Sequence, residues 1–269
     1  MSRVIRTTVL IVLGLVWLLP VYLLLINASK APEGFTSKES WIPTDFSLFS
    51  NIGDAMRLSG LGESVLSTLV YAVVSPTIAV LVGAAAGFAI VALRLRHGFA
   101  WFVLIFGGTV FPIQMIILPL FDAYSRVSLF DTRLGMIIVY TAISIPFSAF
   151  VMRNFFTGIG HNVFEAAVLD GASTWRIFTR VYLPMASSAL VAIFILQATF
   201  IWNDLLLGLT LSQSDDVRPI VTSLAGMQST YGGAQMATVL AGGLLVSLPT
   251  VVLFLFTQKF FARGLALGQ

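Results

Sequence analysis

Six stretches of the chain carry no charged side chain: Thr7 to Asn27, Ser64 to Leu93, Gly98 to Phe121, Leu134 to Met152, Val181 to Asn203 and Pro219 to Gln258. An α-helix needs about 20 residues to cross a hydrocarbon core about 30 Å thick. The first five stretches each fit one crossing. The last is long enough for two, but its first half holds Gln228, Ser229, Thr230, Tyr231, Gly232, Gly233 and Gln235, which reads as an external loop. The sixth span is therefore expected at Met236 to Thr257. The pattern predicts an all-α, polytopic membrane bundle with six transmembrane helices in a single domain over residues 1–269.

Punctuation within the spans adds detail. Pro76, Pro112, Pro119, Pro146 and Pro249 each lack a backbone donor, so a kink is expected at each. Gly83 and Gly87 form a G-x-x-x-G with three alanines between them. Such a small-residue face lets two helices approach closely, without saying whether the neighbour lies in the same chain.

Composition agrees with the bilayer as solvent: 58% hydrophobic, 10% charged, mean hydropathy +0.96. A soluble domain carries roughly 25% charged residues. With no cysteine there is no disulfide framework, thiolate site or cysteine nucleophile. Two histidines, His97 and His161, leave little for a histidine-built metal site. The pI near 9.4 reflects topology-setting Lys and Arg rather than nucleic-acid binding. Arg3 and Arg6 before an apolar run resemble a signal peptide, but the run is long and no A-x-A site follows, so a retained helix is expected.

With both termini inside, the cytoplasmic segments hold Arg3, Arg6, Arg94, Arg96, Arg153, Arg176, Arg180, Lys259 and Arg263, nine of the fifteen basic residues. The only acids on that side are Glu165 and Asp170. The bias gains weight because basic residues in the long outer loop Ala28–Glu63 count less. Both termini are expected in the cytoplasm.

The segment between the fourth and fifth spans, Arg153 to Arg180, is long and polar. Asn162 is placed to cap a helix, with Glu165 three residues on. Phe164, Val168 and Leu169 give an apolar face. Gly171 suits the left-handed position that ends a helix, and Ser173 can cap the next one. That next helix leads through Trp175, Ile177 and Val181 to Pro184. A helix lying on the inner leaflet would carry Lys or Arg on its polar face. Asn162 to Ala172 carries neither, only Glu165 and Asp170, which suits a peg entering a protein cleft and meeting a basic partner.

Glu165-Ala166-Ala167, three residues, Gly171, nine residues, then Val181-x-Leu183-Pro184 resembles the EAA loop of bacterial ABC importer permeases, EAA-x3-G-x9-I-x-LP, with Val181 as the one departure. Asp170-Gly171-Ala172-Ser173, Trp202-Asn203-Asp204 and Gly264-Leu265-Ala266-Leu267-Gly268 look like the carbohydrate-uptake branch, nearest the smaller permease subunit of maltose-type systems. The resemblance implies a coupling helix, within a loop at about residues 155–184, seated in a cleft of a cytoplasmic ATPase subunit. It implies two such ATPases, a second homologous permease in a heterodimer, an extracytoplasmic solute-binding protein, and a bacterial inner-membrane location. Glu165 would engage a basic residue of the ATPase, Ala166 and Ala167 would pack in its cleft, Gly171 would give the turn, and Asp170 would belong to the same ATPase-coupling set. The tail after Arg263 would approach the same interface. No cofactor falls to this chain, since ATP and magnesium would be bound by the partners.

The chain holds no Gly-Lys-[Ser/Thr] phosphate loop, so energy must come from elsewhere. An ion-coupled secondary transporter would place a carboxylate or histidine at membrane depth. The spans as drawn contain no charged residue, and Asp204 lies at the outer end of the fifth. An intramembrane enzyme lacks its nucleophile–base pair for the same reason. For the sugar path, Gln114, Tyr140, Gln197, Trp202 and Asn203 are candidates by depth, beside the alternative of interhelical bonding or an aromatic belt.

Overall fold

The computed structural model describes residues 3–31, 40–58, 60–228 and 235–266. Its regular structure among these residues is helical: α1 (Arg3–Ala28), α2 (Leu48–Leu58), α3 (Leu61–Val91), α4 (Gly98–Gly107), α5 (Ile113–Arg126), α6 (Arg133–Thr157), α7 (His161–Leu169), α8 (Thr174–Ile177), a π-helical turn (Phe178–Tyr182), α9 (Leu183–Met185), α10 (Ser187–Trp202), α11 (Leu206–Leu211), α12 (Ile220–Met227) and α13 (Met236–Ala266). The chain divides into two compact units, one of Met1–Gly62 with Ile220–Val251, the other of Glu63–Pro219 with Val252–Gln269.

In the first unit α1 is apolar on every side and almost wholly exposed, Trp17 reaching 80%. Such a surface suits a helix solvated by lipid rather than water. Its end is held by polar bonds: the Asn51 side-chain amide on α2 donates to the carbonyls of Ala28 and Lys30, both at 2.8 Å. Gly242 on α13 lies under Leu224 of α12, whose Cδ1 would stand 2.8 Å from an added Cβ. Neither α2 nor α12 was expected, since both lie in stretches read as external loop. The loop residues Ser229 to Gly233 fall outside the described residues.

The second unit is organised on α6, which packs against α4, α10 and α11. It also receives α3 through the Gly83/Gly87 face. A Cβ on Gly83 would stand 2.6 Å from Ser148 Cβ, and one on Gly87 2.8 Å from the Arg153 nitrogen. The neighbour of this small-residue face is therefore α6 of the same chain. Helices α3, α6 and α13 run unbroken through Pro76, Pro146 and Pro249.

Four helices, α1, α3, α6 and the Met236–Leu255 part of α13, are long and apolar enough to cross a membrane. A fifth candidate is a bent pair: the helical run Thr174–Met185 and α10 together have the length and apolar composition of a span but meet at a 75° bend. The π-turn and Pro184 lead into the bend, and buried Ala186 sits at it. The uncharged stretch Gly98–Phe121, expected as one crossing, is broken. Helix α4 ends at Gly107, tight turns close at Thr109 and Val110, and Pro112 starts α5. Two glycines and a proline outweigh the apolar pattern there. At 10 and 14 residues, neither α4 nor α5 spans the core alone.

The α3–α6 contact gives a direct test. Gly83→Ala is expected to lower the thermal midpoint of the detergent-solubilised protein, the overpacking costing about 1–3 kcal/mol. Gly14→Ala, in open space on α1, is expected to leave it unchanged or raise it slightly.

Candidate functional site

At the end of α6 that leads into α7, aromatic rings build the seat for the connecting segment. Phe88 of α3 lies 5.1 Å from Phe178 and 4.9 Å from Tyr182, centroid to centroid, and Phe156 lies 5.4 Å from Tyr182. Phe164 of α7 meets Phe88 at 6.2 Å, and Ala167 and Ala172 pack on the same core. Edge-to-face and tilted pairs of this kind hold geometry as well as burying area.

Helix α7 begins after Gly160, whose extended backbone is the N-cap; Asn162 is exposed and makes no cap bond, so that expectation is corrected. The other end forms as the glycine demands. Gly171 has φ +75°, its N–H bonds to the Val168 carbonyl at 2.9 Å, and the Ala172 N–H bonds to the Ala167 carbonyl at 3.0 Å. The Ser173 hydroxyl then accepts from the Arg176 N–H at 3.4 Å and starts α8. Helix, left-handed turn and second helix thus form one unit fixed from below.

Seating divides the apolar residues of α7. Phe164 and Ala167 face the chain's own core, so the single apolar face read from Phe164, Val168 and Leu169 is two faces. Leu169 is 87% exposed and Trp175 72%, with Val168 beside them. Glu165, Ala166, Asp170 and Gly171 are exposed as well. The Glu165 carboxylate lies 3.6 Å from His161 Nε2, one helical turn back. The outer surface therefore presents exposed apolar side chains together with two exposed carboxylates, on a base packed into the aromatic cluster.

The polar residues expected along a sugar path do not converge. Gln197 is buried on α10, its Nε2 3.4 Å from the Ser144 carbonyl. It lines a pocket of about 430 Å³ with Thr109, Phe111, Phe147 and Phe200. Gln114 is exposed on α5 and is not among the lining residues, while Asn203 donates back to Thr199 of its own helix at 2.8 Å. Trp202 is buried.

Two polar features at the opposite end of α6 were not foreseen. Asp204 accepts from the Tyr140 hydroxyl at 2.8 Å and from the Gly208 N–H at 3.0 Å, tying α6 to α11. An Asp just before the apolar run Leu205–Leu211 is the local signal that could have found it, a carboxylate near the free N–H groups of a helix start. Asp131, in the loop before α6, accepts from the N–H groups of Gln213 and Ser214 at 2.7 and 2.9 Å and from the Ser214 hydroxyl. Ser67 and Arg133 donate to the Asp216 carbonyl and Tyr71 to that of Val217, so α3 and α6 both clasp the segment 213–217. Partial burial by itself raises the Asp131 carboxyl, but the bonds from Ser214 and Gln213 and the charge of Arg218 outweigh it. The carboxyl is held below its ordinary value.

A family model described as the inner membrane component of binding-protein-dependent transport systems matches residues 79–265. The chain belongs to this family. It is a multi-pass membrane transport permease, not an enzyme. The osmoprotective compounds uptake permease protein of Synechocystis is 27% identical, over 97% of this chain and 89% of the relative. The diacetylchitobiose uptake system permease of Streptomyces coelicolor is 28% identical, over 96% and 84% respectively. The crystal structure of a bacterial ABC transporter involved in importing the acidic polysaccharide alginate shares the fold. It matches with a TM-score of 0.78 at 22% identity, over 97% of this chain and 99% of that one.

Because the Asp131 carboxyl is lowered on folding, its stabilisation is present in full above the ordinary carboxylate value. It is lost as pH falls through the lowered value. Asp131→Asn is expected to lower the thermal midpoint of this permease at pH 7 and to match the native protein once pH is below that value. Parallel melting curves across the acid range measure this.

Proposed function

We propose that this permease imports a sugar, a di- or oligosaccharide, by alternating access driven by ATP hydrolysis on partner subunits, with α7 as the coupling helix. The observation that carries the reading is the outward face of α7 and α8. Leu169 and Trp175 stand exposed, as do Glu165 and Asp170, on a helix–turn–helix seated on the aromatic core. Within the described residues these side chains are little used: Glu165 lies near His161 and the Trp175 ring meets Phe178 at 5.8 Å, which leaves most of this surface for a cleft in a cytoplasmic partner. Glu165 meets a basic residue there, Ala166 lies at the point of close approach, and Asp170 and Gly171 hold the turn. Ala167 supports the helix from its own side.

In this reading residues 1–269 act as one permease domain in a bacterial inner membrane, with both termini cytoplasmic. It pairs with a second homologous permease as a heterodimer, over two ATPase subunits, and receives its sugar from an extracytoplasmic binding protein. ATP and magnesium stay on the ATPases. The sugar class is supported by the relatives named for diacetylchitobiose and alginate. Gln197, beside three phenyl rings in its pocket, is the best placed of the path candidates. Gln114 and Asn203 remain path residues only if the partner permease completes the path around them. An ion-coupled mechanism is not favoured: the Asp204 carboxylate is occupied by a hydroxyl and backbone donors.

Glu165→Lys is expected to cut uptake tenfold or more and to lose co-purifying ATPase, about what reversing one partner of an interfacial ion pair costs. Leu169→Asp is expected to do the same with an unchanged melting curve, since that side chain touches little of its own chain. Native uptake in both variants would overturn the coupling assignment.

A further inference from the structure

The α3–α4 connection has a composition and geometry that coupling does not use. Helix α3 ends where the Ala92 N–H bonds to the Phe88 carbonyl at 2.8 Å, and the Gly98 N–H bonds back to the Leu95 carbonyl at 2.8 Å. Between them Arg94 and His97 adopt left-handed backbone angles, φ 48° and 60°, uncommon for residues with side chains. The result is an exposed alternation, Leu93-Arg94-Leu95-Arg96-His97. No acidic residue occurs in the sequence between Glu63 and Asp122, and among the described residues neither arginine forms an ion pair.

Two neighbouring elements extend this patch. Arg153, at the α7 end of α6, holds its guanidinium carbon 4.8 Å from the centre of the Phe102 ring of α4. Its Nε is buried without a hydrogen-bond partner. The first turn of α4 exposes Phe99 at 75% and Trp101 at 50%, and no residue of α4 is buried. The charges thus stand at the head of a helix whose exposed side is apolar. A water-soluble partner would meet the arginines but not the apolar surface that continues below them. A phospholipid meets both, since guanidinium groups grip phosphate, and tryptophan favours the headgroup boundary.

We propose that the 93–97 loop, with Arg153 and the first turn of α4, binds the phosphate headgroup of an anionic phospholipid in the leaflet on the α7 side. Only the name of that leaflet, cytoplasmic, rests on the topology proposed above. Leu93, Leu95 and Trp101 sit among the upper acyl chains, and Arg94 and Arg96 reach the phosphate.

The test uses the full chain with its co-purifying subunits, in micelles containing phosphatidylglycerol or phosphatidylcholine, with retained lipid counted by native mass spectrometry. The native protein is expected to retain phosphatidylglycerol preferentially, and less of it as salt rises. R94Q/R96Q is expected to weaken retention by about fivefold per charge removed, while melting as the native protein does in phosphatidylcholine. R94K/R96K is expected to recover most of the preference. Equal phosphatidylglycerol retention by the native protein and R94Q/R96Q would overturn the proposal. So would loss of the ATPase from R94Q/R96Q with lipid retained, which would assign the loop to a protein partner. Glu165→Lys is expected to leave lipid retention unchanged, so a failure of the coupling assignment shows itself separately.

Discussion

The close approach of α3 to α6 at Gly83 and Gly87 is the contact on which the larger unit depends. Lipid supplies no hydrophobic force between two apolar helices, so association rests on packing. Only the absence of two side chains lets the backbones meet at Ser148 and Arg153. That proximity places Phe88, one residue past Gly87, among Phe178, Tyr182 and Phe164. The seat of α7 is thus a consequence of a glycine face one turn below it.

The two ends of α6 are secured by different chemistry. At the α7 end the rings pack, and a packed aromatic cluster resists deformation because any shift opens voids. At the other end hydroxyls, a carboxylate and a guanidinium clasp the backbone carbonyls and N–H groups of the 213–217 segment. Polar clasps suit a boundary where water is near and backbone groups leave their helices unsatisfied. Between these ends the helices are apolar, and the breaks in them, at Gly107–Pro112 and at Ala186, are the places where the path of the chain changes.

Legibility in the sequence followed the locality of the cause. Gly171 and Ser173 were readable because a left-handed turn and a hydroxyl cap are decided by a few consecutive residues. The third stretch misled because hydropathy averages over 20 residues, while a Gly-Gly pair and a proline act within five. Asn162 misled for a related reason: it has a capping side chain, but the helix starts one residue earlier. The direction faced by Val168 and Leu169 was out of reach. A nine-residue helix has two sides, and only the position of Phe88 decides which one is covered.

By itself, then, the sequence determined that the chain lives in lipid, that its structure is helical, and that one polar connection is a helix–turn–helix with an EAA-type pattern. These follow from run length, backbone satisfaction and local caps, which need no distant contact. Tertiary structure decided which residues of that connection are support and which are offered outward. It decided too that Asp131 and Asp204 are clasps rather than free carboxylates, and that Arg94 and Arg96 stand, without an ion pair among the described residues, at the head of an exposed apolar helix. Each of those depends on residues tens of positions apart meeting at a few ångströms, which no local pattern encodes.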